Sequence, residues 1–213
     1  LTLNGTNLAS LESVSRLPLL ETLKIADCPA LSDLAPLKKL GNLTVLDISG
    51  CTGITDIGPV SSMTGLRSFD MNRCPQIMDL SGLAKLTGLS SLGLSDLSYL
   101  PDLQILSGMT KLRSLNILGT AVGDLSVLSD IPGLTKLRAG ISSASDLSAL
   151  EKQESLTSLT VDLSRYDLKD LGFLGGFRHL EEFTLSGDNR IRDIGELSLH
   201  PDLTSVIIED AGG

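Results

Sequence analysis

Nine times along the chain, at Leu20, Leu43, Leu66, Leu89, Leu112, Leu134, Leu156, Leu180 and Leu203, a leucine opens the pattern Leu-x-x-(Leu/Phe/Val)-x-(apolar/Ala), at intervals of 22 to 24 residues. A period that steady predicts a solenoid, because each repeat is one supersecondary unit that buries its apolar face only against its neighbours. The 213 residues are therefore expected to form a single domain, residues 1–213, of nine repeats preceded by a partial repeat over 1–19. At roughly 4.8 Å per stacked strand the stack would be about 45 Å long, a length suited to a macromolecular contact.

The repeat beginning at Leu43 shows what one unit does. Leu46 and Ile48 alternate with Val45, Asp47 and Ser49 at the period of a strand with one buried face, so the second set points to the exposed, concave side. After Cys51, the apolar residues Ile54, Ile57, Val60 and Met63 fall every third position, the spacing of short 3-10 or helical turns. Gly and Pro bound these turns, so the convex side is expected to hold short helical pieces. The fold class that follows is an α/β solenoid with a parallel concave β-sheet and short 3-10 or helical convex segments.

Two residue columns recur with the repeat. Asp33, Asp56, Asp79, Asp102, Asp124, Asp146, Asp170 and Asp193 each precede a convex apolar residue. Asp accepts hydrogen bonds from backbone N–H groups two or three residues on, so the column reads as capping; Ca²⁺ needs six to eight converging oxygens, and no loop here forms such a cage. Cys28, Cys51 and Cys74 recur every 23 residues where the chain leaves the strand. They read as buried thiols donating to backbone carbonyls in a ladder, since a flat ladder lacks the fourth ligand and tetrahedral spread of a zinc site.

The segments Ile54-Thr55-Asp56-Ile57-Gly58-Pro59-Val60 and Leu31-Ser32-Asp33-Leu34-Ala35-Pro36-Leu37 resemble the internalin-type bacterial leucine-rich repeats, L-x-x-L-x-x-L-x-L-x-x-N-x-I-x-D-I-x-P-L. The resemblance runs over essentially the whole chain. It implies a right-handed horseshoe with 3-10 turns outside and a family role in surface attachment and protein binding. Where the family has Asn, this chain has Cys28, Cys51, Cys74, Leu97, Thr120, Ser142, Ser164 and Asp188, and the first three are similar to the cysteine-containing repeat class. Similar repeats also occur in intracellular regulatory scaffolds of the type that bind protein phosphatase 1.

A net charge of -9 argues against non-specific nucleic-acid binding, which needs Lys and Arg to displace counterions from phosphate, and against an anionic membrane surface. No stretch is apolar enough over about 18 residues to suggest a membrane span. Leu1-Thr2-Leu3 already reads as the inner half of a strand and the chain stops just after another, so a longer parent protein is expected. The expected role is a non-catalytic protein-binding module of a bacterial secreted or surface protein, mediating adhesion or host recognition, with a secreted or cell-surface location favoured over a cytoplasmic one. An intracellular regulatory scaffold and a passive spacer are the alternatives. The partner is a protein, no cofactor or metal is expected, and the chain is expected to be a monomer with end-to-end association open to it.

Strand register gives the candidate binding residues on the concave face: Lys24, Asp47, Asp70, Asn72, Asn116, Lys136, Arg138, Asp162 and Glu182. Lys136 and Arg138 make a basic spot flanked by Asp162 and Glu182. None of the concave residues is aromatic, so the usual Trp and Tyr anchors are missing. Length changes sit in the exit loops, which makes Arg165, Tyr166, Asn189 and Arg190 a second candidate contact edge. Nothing argues for catalysis. His179 and His200 lie at the ends of convex segments without a nucleophile at an interpretable spacing and read as solvated turn residues. Asp47 and Asp70, on an open strand face, are expected to stay solvated and so to lack separated pKa values. Gly172, Gly175 and Gly176 lack the Lys-Ser/Thr ending of a phosphate loop.

Overall fold

The computed structural model describes residues 1–150, 153–187 and 190–209. Two compact units are distinguished, Leu1–Pro101 and Asp102–Gly213. The first carries four strands, β1 (Thr22–Lys24), β2 (Val45–Asp47), β3 (Ser68–Asp70) and β4 (Ser91–Gly93), parallel and paired in sequence order. The second carries five in the same arrangement: β5 (Ser114–Ile117), β6 (Lys136–Gly140), β7 (Ser158–Asp162), β8 (Glu182–Ser186) and β9 (Ser205–Ile208). Every strand begins two residues after one of the repeating leucines. Each unit is thus a solenoid of stacked repeats.

Alternation along the strands fixes the core. Leu23, Leu46, Phe69 and Leu92 turn inward in the first unit, as do Leu115, Leu137, Leu159 and Phe183 in the second, and all are buried. The next inward positions, Ile25, Ile48, Met71, Leu94, Ile117, Ala139, Val161 and Leu185, are buried too. Each large apolar side chain taken out of water this way contributes about 1.5–3 kcal/mol before entropy is counted. In β9, which among the described residues is paired with β8 alone, Val206 and Ile208 stay exposed.

The return path is made of 3-10 turns, among them Ala35–Lys39, Gly58–Ser62 and Ser81–Leu83 in the first unit and Ser126–Asp130, Gly172–Gly176 and Gly195–Leu199 in the second. Pro36 and Pro59 sit in first turns, where no N–H is needed. The Asp column starts these turns. Asp33, Asp56, Asp79, Asp102, Asp124, Asp170 and Asp193 each accept through Oδ1 from the backbone N–H two residues on, at 2.6–3.0 Å. The carboxylate belongs to the residue just ahead of the first capping position, so it closes a side-chain turn that leads the backbone into the helix.

Asp146 is the exception. Its Oδ2 turns back to accept from the N–H groups of Ser142 and Ser143 at 2.9 and 3.0 Å, while Ser143 Oγ accepts from Asp146 N–H at 3.3 Å. This reciprocal capping box starts a true α-helix, α1 (Ala144–Leu150), in place of a 3-10 turn.

At the strand exits the chain enters the left-handed region at Asp27, Gly50, Arg73, Asp96 and Gly119, with φ between 55° and 71°. Gly50 is required there twice over: its φ is 71°, and a Cβ would overlap the Asp27 carboxylate, which reaches across it to Arg73 at 3.1 Å. One residue further on lies the thiol ladder. Cys51 Sγ donates to Ile25 O at 2.9 Å, Cys74 Sγ to Ile48 O at 3.2 Å and Cys28 Sγ to Leu3 O at 3.3 Å, and all three side chains are buried. Burial pushes the Cys51 thiol up to about 12 and the Cys74 thiol up to about 11.

Candidate functional site

On the first unit, parallel register sets Lys24, Asp47 and Asp70 in one row across β1, β2 and β3. Lys24 is exposed, and both carboxylates are half-buried. Asp47 Oδ1 accepts from Ser49 N–H at 3.0 Å, and Ser68 Oγ donates to Asp70 Oδ2 at 3.4 Å. Asp70 departs from the expected solvated carboxylate: burial, then the Asp47 charge beside it, hold its pKa above the ordinary value against the opposing pull of Ser68, Lys24 and Asn72. The strand face is open, but Asp70 is half-buried there, between Asp47 on β2 and Gly93 on β4. Asn72 is committed to the scaffold. Its Oδ1 accepts from Ser95 N–H and Oγ at 2.9 and 3.0 Å, and its Nδ2 reaches Ser49 Oγ at 3.5 Å.

On the second unit, Lys136 and Arg138 project from the same face of β6 and are exposed. At their levels, β5 offers Ser114 and Asn116 and β7 offers Ser158 and Thr160. Glu182 and Thr184 follow on β8, opposite Ser158 and Thr160. These side chains line a hollow of about 420 Å³ that runs on to Ser205 and Ile207. Asp162 stands apart from the basic pair. It pairs with Gly140 at the far end of β6, and its Oδ1 accepts from Ser164 N–H and Oγ at 2.9 and 2.6 Å, which turns it toward the exit loop.

The exit edge gathers Arg165, Tyr166 and Arg190 around one hollow of about 250 Å³, and Arg190 pairs with Asp167 at 3.7 Å. Asn189 lies outside the described residues. Arg165 also reaches back 45 residues to donate to Thr120 O at 3.4 Å, over a smaller cavity of about 150 Å³ that includes Ser142 and Ser164. Sequence inspection did not single out that cavity. Thr120, Ser142 and Ser164 of its lining all stand at the repeat position that cysteine holds at 28, 51 and 74.

The histidines divide. His179 is exposed and lies 3.6 Å from Asp202, as a solvated turn residue would. His200, expected to be solvated as well, is buried, with Nδ1 3.0 Å from Phe177 O. It stands 23 residues after Phe177, at the inward position that the repeat reserves for a large core side chain. Among the described residues no group of three or more His, Cys, Asp or Glu side chains is placed to hold a metal ion, and no helix is long and apolar enough to cross a membrane.

A family model described as leucine-rich repeats, two copies, matches residues 41–85. Among solved structures, the internalin InlF of Listeria monocytogenes is similar over 94% of this chain and 64% of its own, with 26% identity and a TM-score of 0.68. Internalin C2 of Listeria monocytogenes is similar over 97% of this chain and 79% of its own, with 25% identity and a TM-score of 0.71. The repeats are internalin-like leucine-rich repeats. The functional domain of InlJ from Listeria monocytogenes, which includes a cysteine ladder, shares the fold at 17% identity and a TM-score of 0.59, over 98% of this chain and 53% of its own. This chain therefore spans less than two thirds of the InlF and InlJ chains. No curated protein matches it by sequence. Internalin-like repeats make a protein-interaction module, of a kind that is typically not enzymatic.

Proposed function

We propose that this chain is a non-catalytic binding module of a bacterial secreted or surface protein, and that its concave strands and the adjoining exit loops receive a protein ligand in adhesion or host recognition. The observation that carries this reading is where the charges are left unpaired. Among the described residues the ion pairs are Arg73–Asp27, His179–Asp202 and Arg190–Asp167, and all three lie off the strands. Lys24, Asp47, Asp70, Lys136, Arg138 and Glu182 stay on the concave side with none of their charges in such a pair. Charge left open on a recognition face sets encounter rate and partner choice more than raw affinity, which suits a face without aromatic anchors. The test is affinity capture from host-surface and cytosolic extracts with the protein carrying Asp47→Lys and Asp70→Lys as control. A partner held by the unmodified protein and lost by the variant supports the module; equal recovery by both would sink it.

A further inference from the structure

Resting on the reading that the concave side is the ligand face, we infer that the β6 hollow is a subsite for an extended acidic peptide segment with Asp or Glu at alternate positions. Lys136 and Arg138 occupy alternate positions of one strand, so their side chains leave the sheet about 6.7 Å apart, the distance between residues i and i+2 of any extended peptide. A partner strand running along β6 thus presents two carboxylates in step with the two cations. Arg138 offers a planar fork that takes a carboxylate through two parallel hydrogen bonds, and Lys136 offers a point charge that tolerates a looser fit.

The surroundings keep those cations available. Ser114 and Asn116 on one side, and Ser158 and Thr160 on the other, are uncharged, and neither cation forms an ion pair among the described residues. Asp162, the acid closest in sequence pattern, is held by Ser164. The hydroxyls of Ser158, Thr160 and Thr184 line the hollow and can answer the polar backbone of a bound strand. In the first concave column, serine stands at 68, 91, 114, 158 and 205, and the two charged residues Lys136 and Glu182 interrupt that run.

Glu182 decides between an acidic peptide and a polyanion. It stands two strands from Lys136, about 10 Å away, and faces the same hollow. A nucleic acid or sulfated polysaccharide carries negative charge along its whole length and would meet Glu182 as well as the overall charge of -9. A peptide can place two acids over Lys136 and Arg138 and a neutral or basic residue over Glu182.

The test uses the full chain and three probes: a synthetic peptide with glutamate at alternate positions in a Thr and Ser background, the same peptide with Gln for Glu, and a single-stranded oligonucleotide. Binding is read from amide chemical shifts at low salt. The acidic peptide is expected to shift β6 and β7 saturably, the Gln peptide and the oligonucleotide to leave them unmoved, and Lys136→Gln with Arg138→Gln to weaken the acidic peptide roughly tenfold. The exchange Lys136→Arg with Arg138→Lys keeps both charges but moves the fork by two residues, and is expected to bind the acidic peptide more tightly than the double Gln variant and less tightly than the unmodified protein. Equal shifts from the Glu and Gln peptides, indifference to the double Gln variant, or stronger binding of the oligonucleotide through the same residues would each overturn the inference. The capture experiment above alters only Asp47 and Asp70, so the general proposal and this subsite can fail separately.

Discussion

Burial and the neighbouring Asp47 carboxylate hold the pKa of Asp70 above its ordinary 3.8, so folding favours the protonated acid. The stability this group supplies is fully present below 3.8 and is lost as pH rises through the raised folded value. Asp70→Asn keeps the shape and removes the charge. It should therefore melt higher than the unmodified protein at pH 7, with the gap closing as pH is lowered toward 3.8; thermal denaturation across that range checks it, and a gap independent of pH would refute it. The thiols give a second residue-scale prediction. With Cys51 held near 12 and Cys74 near 11 and both side chains buried, a thiol reagent at pH 8 should label them slowly in the native protein and quickly in urea. Rapid native labelling would contradict the ladder.

Elements differ in how much their start depends on one side chain. Asp146 is buried and satisfies two backbone N–H groups at the head of α1, whereas Asp33 is exposed and satisfies one. Asp146→Ala should cost about 2 kcal/mol and Asp33→Ala nearer 0.5 kcal/mol. For a chain of this size that corresponds to a melting-temperature loss of roughly 4–8 °C against about 1–2 °C. A larger loss at Asp33 would mean that the capping box does not hold α1. This contrast also shows what was legible in the sequence. Strand positions and core were readable because the two-residue alternation after each repeating leucine specifies which side chain turns inward. Asp146 looked like one more member of the Asp column, and its different role depends on the N–H groups of Ser142 and Ser143 and the Oγ of Ser143, which bond back to it. His200 could have been placed in the core by alignment with Phe177; its polarity masked the register. The basic pair on β6 was readable from alternation, while the release of Asp162 toward Ser164 needed the exit-loop geometry.

At the scale of the whole molecule, the repeats spend their apolar residues on stacking and leave the strand face polar, with a net charge of -9 around a local cationic pair. The convex turns are held by their own side-chain hydrogen bonds, and their exposed charges, such as Lys38 and Lys39, lie on short turns. We place the proposed recognition on the concave strands, where Lys136 and Arg138 stand side by side on one strand. The most direct measurement is site-specific photo-crosslinking in the presence of an extract, with a photoreactive amino acid placed at Ser68 or Ser158 on the concave side and, separately, at Ser129 on the convex side. The account predicts a discrete crosslinked partner from a concave position and none from Ser129. A partner that crosslinks from Ser129 and from neither concave position would contradict it.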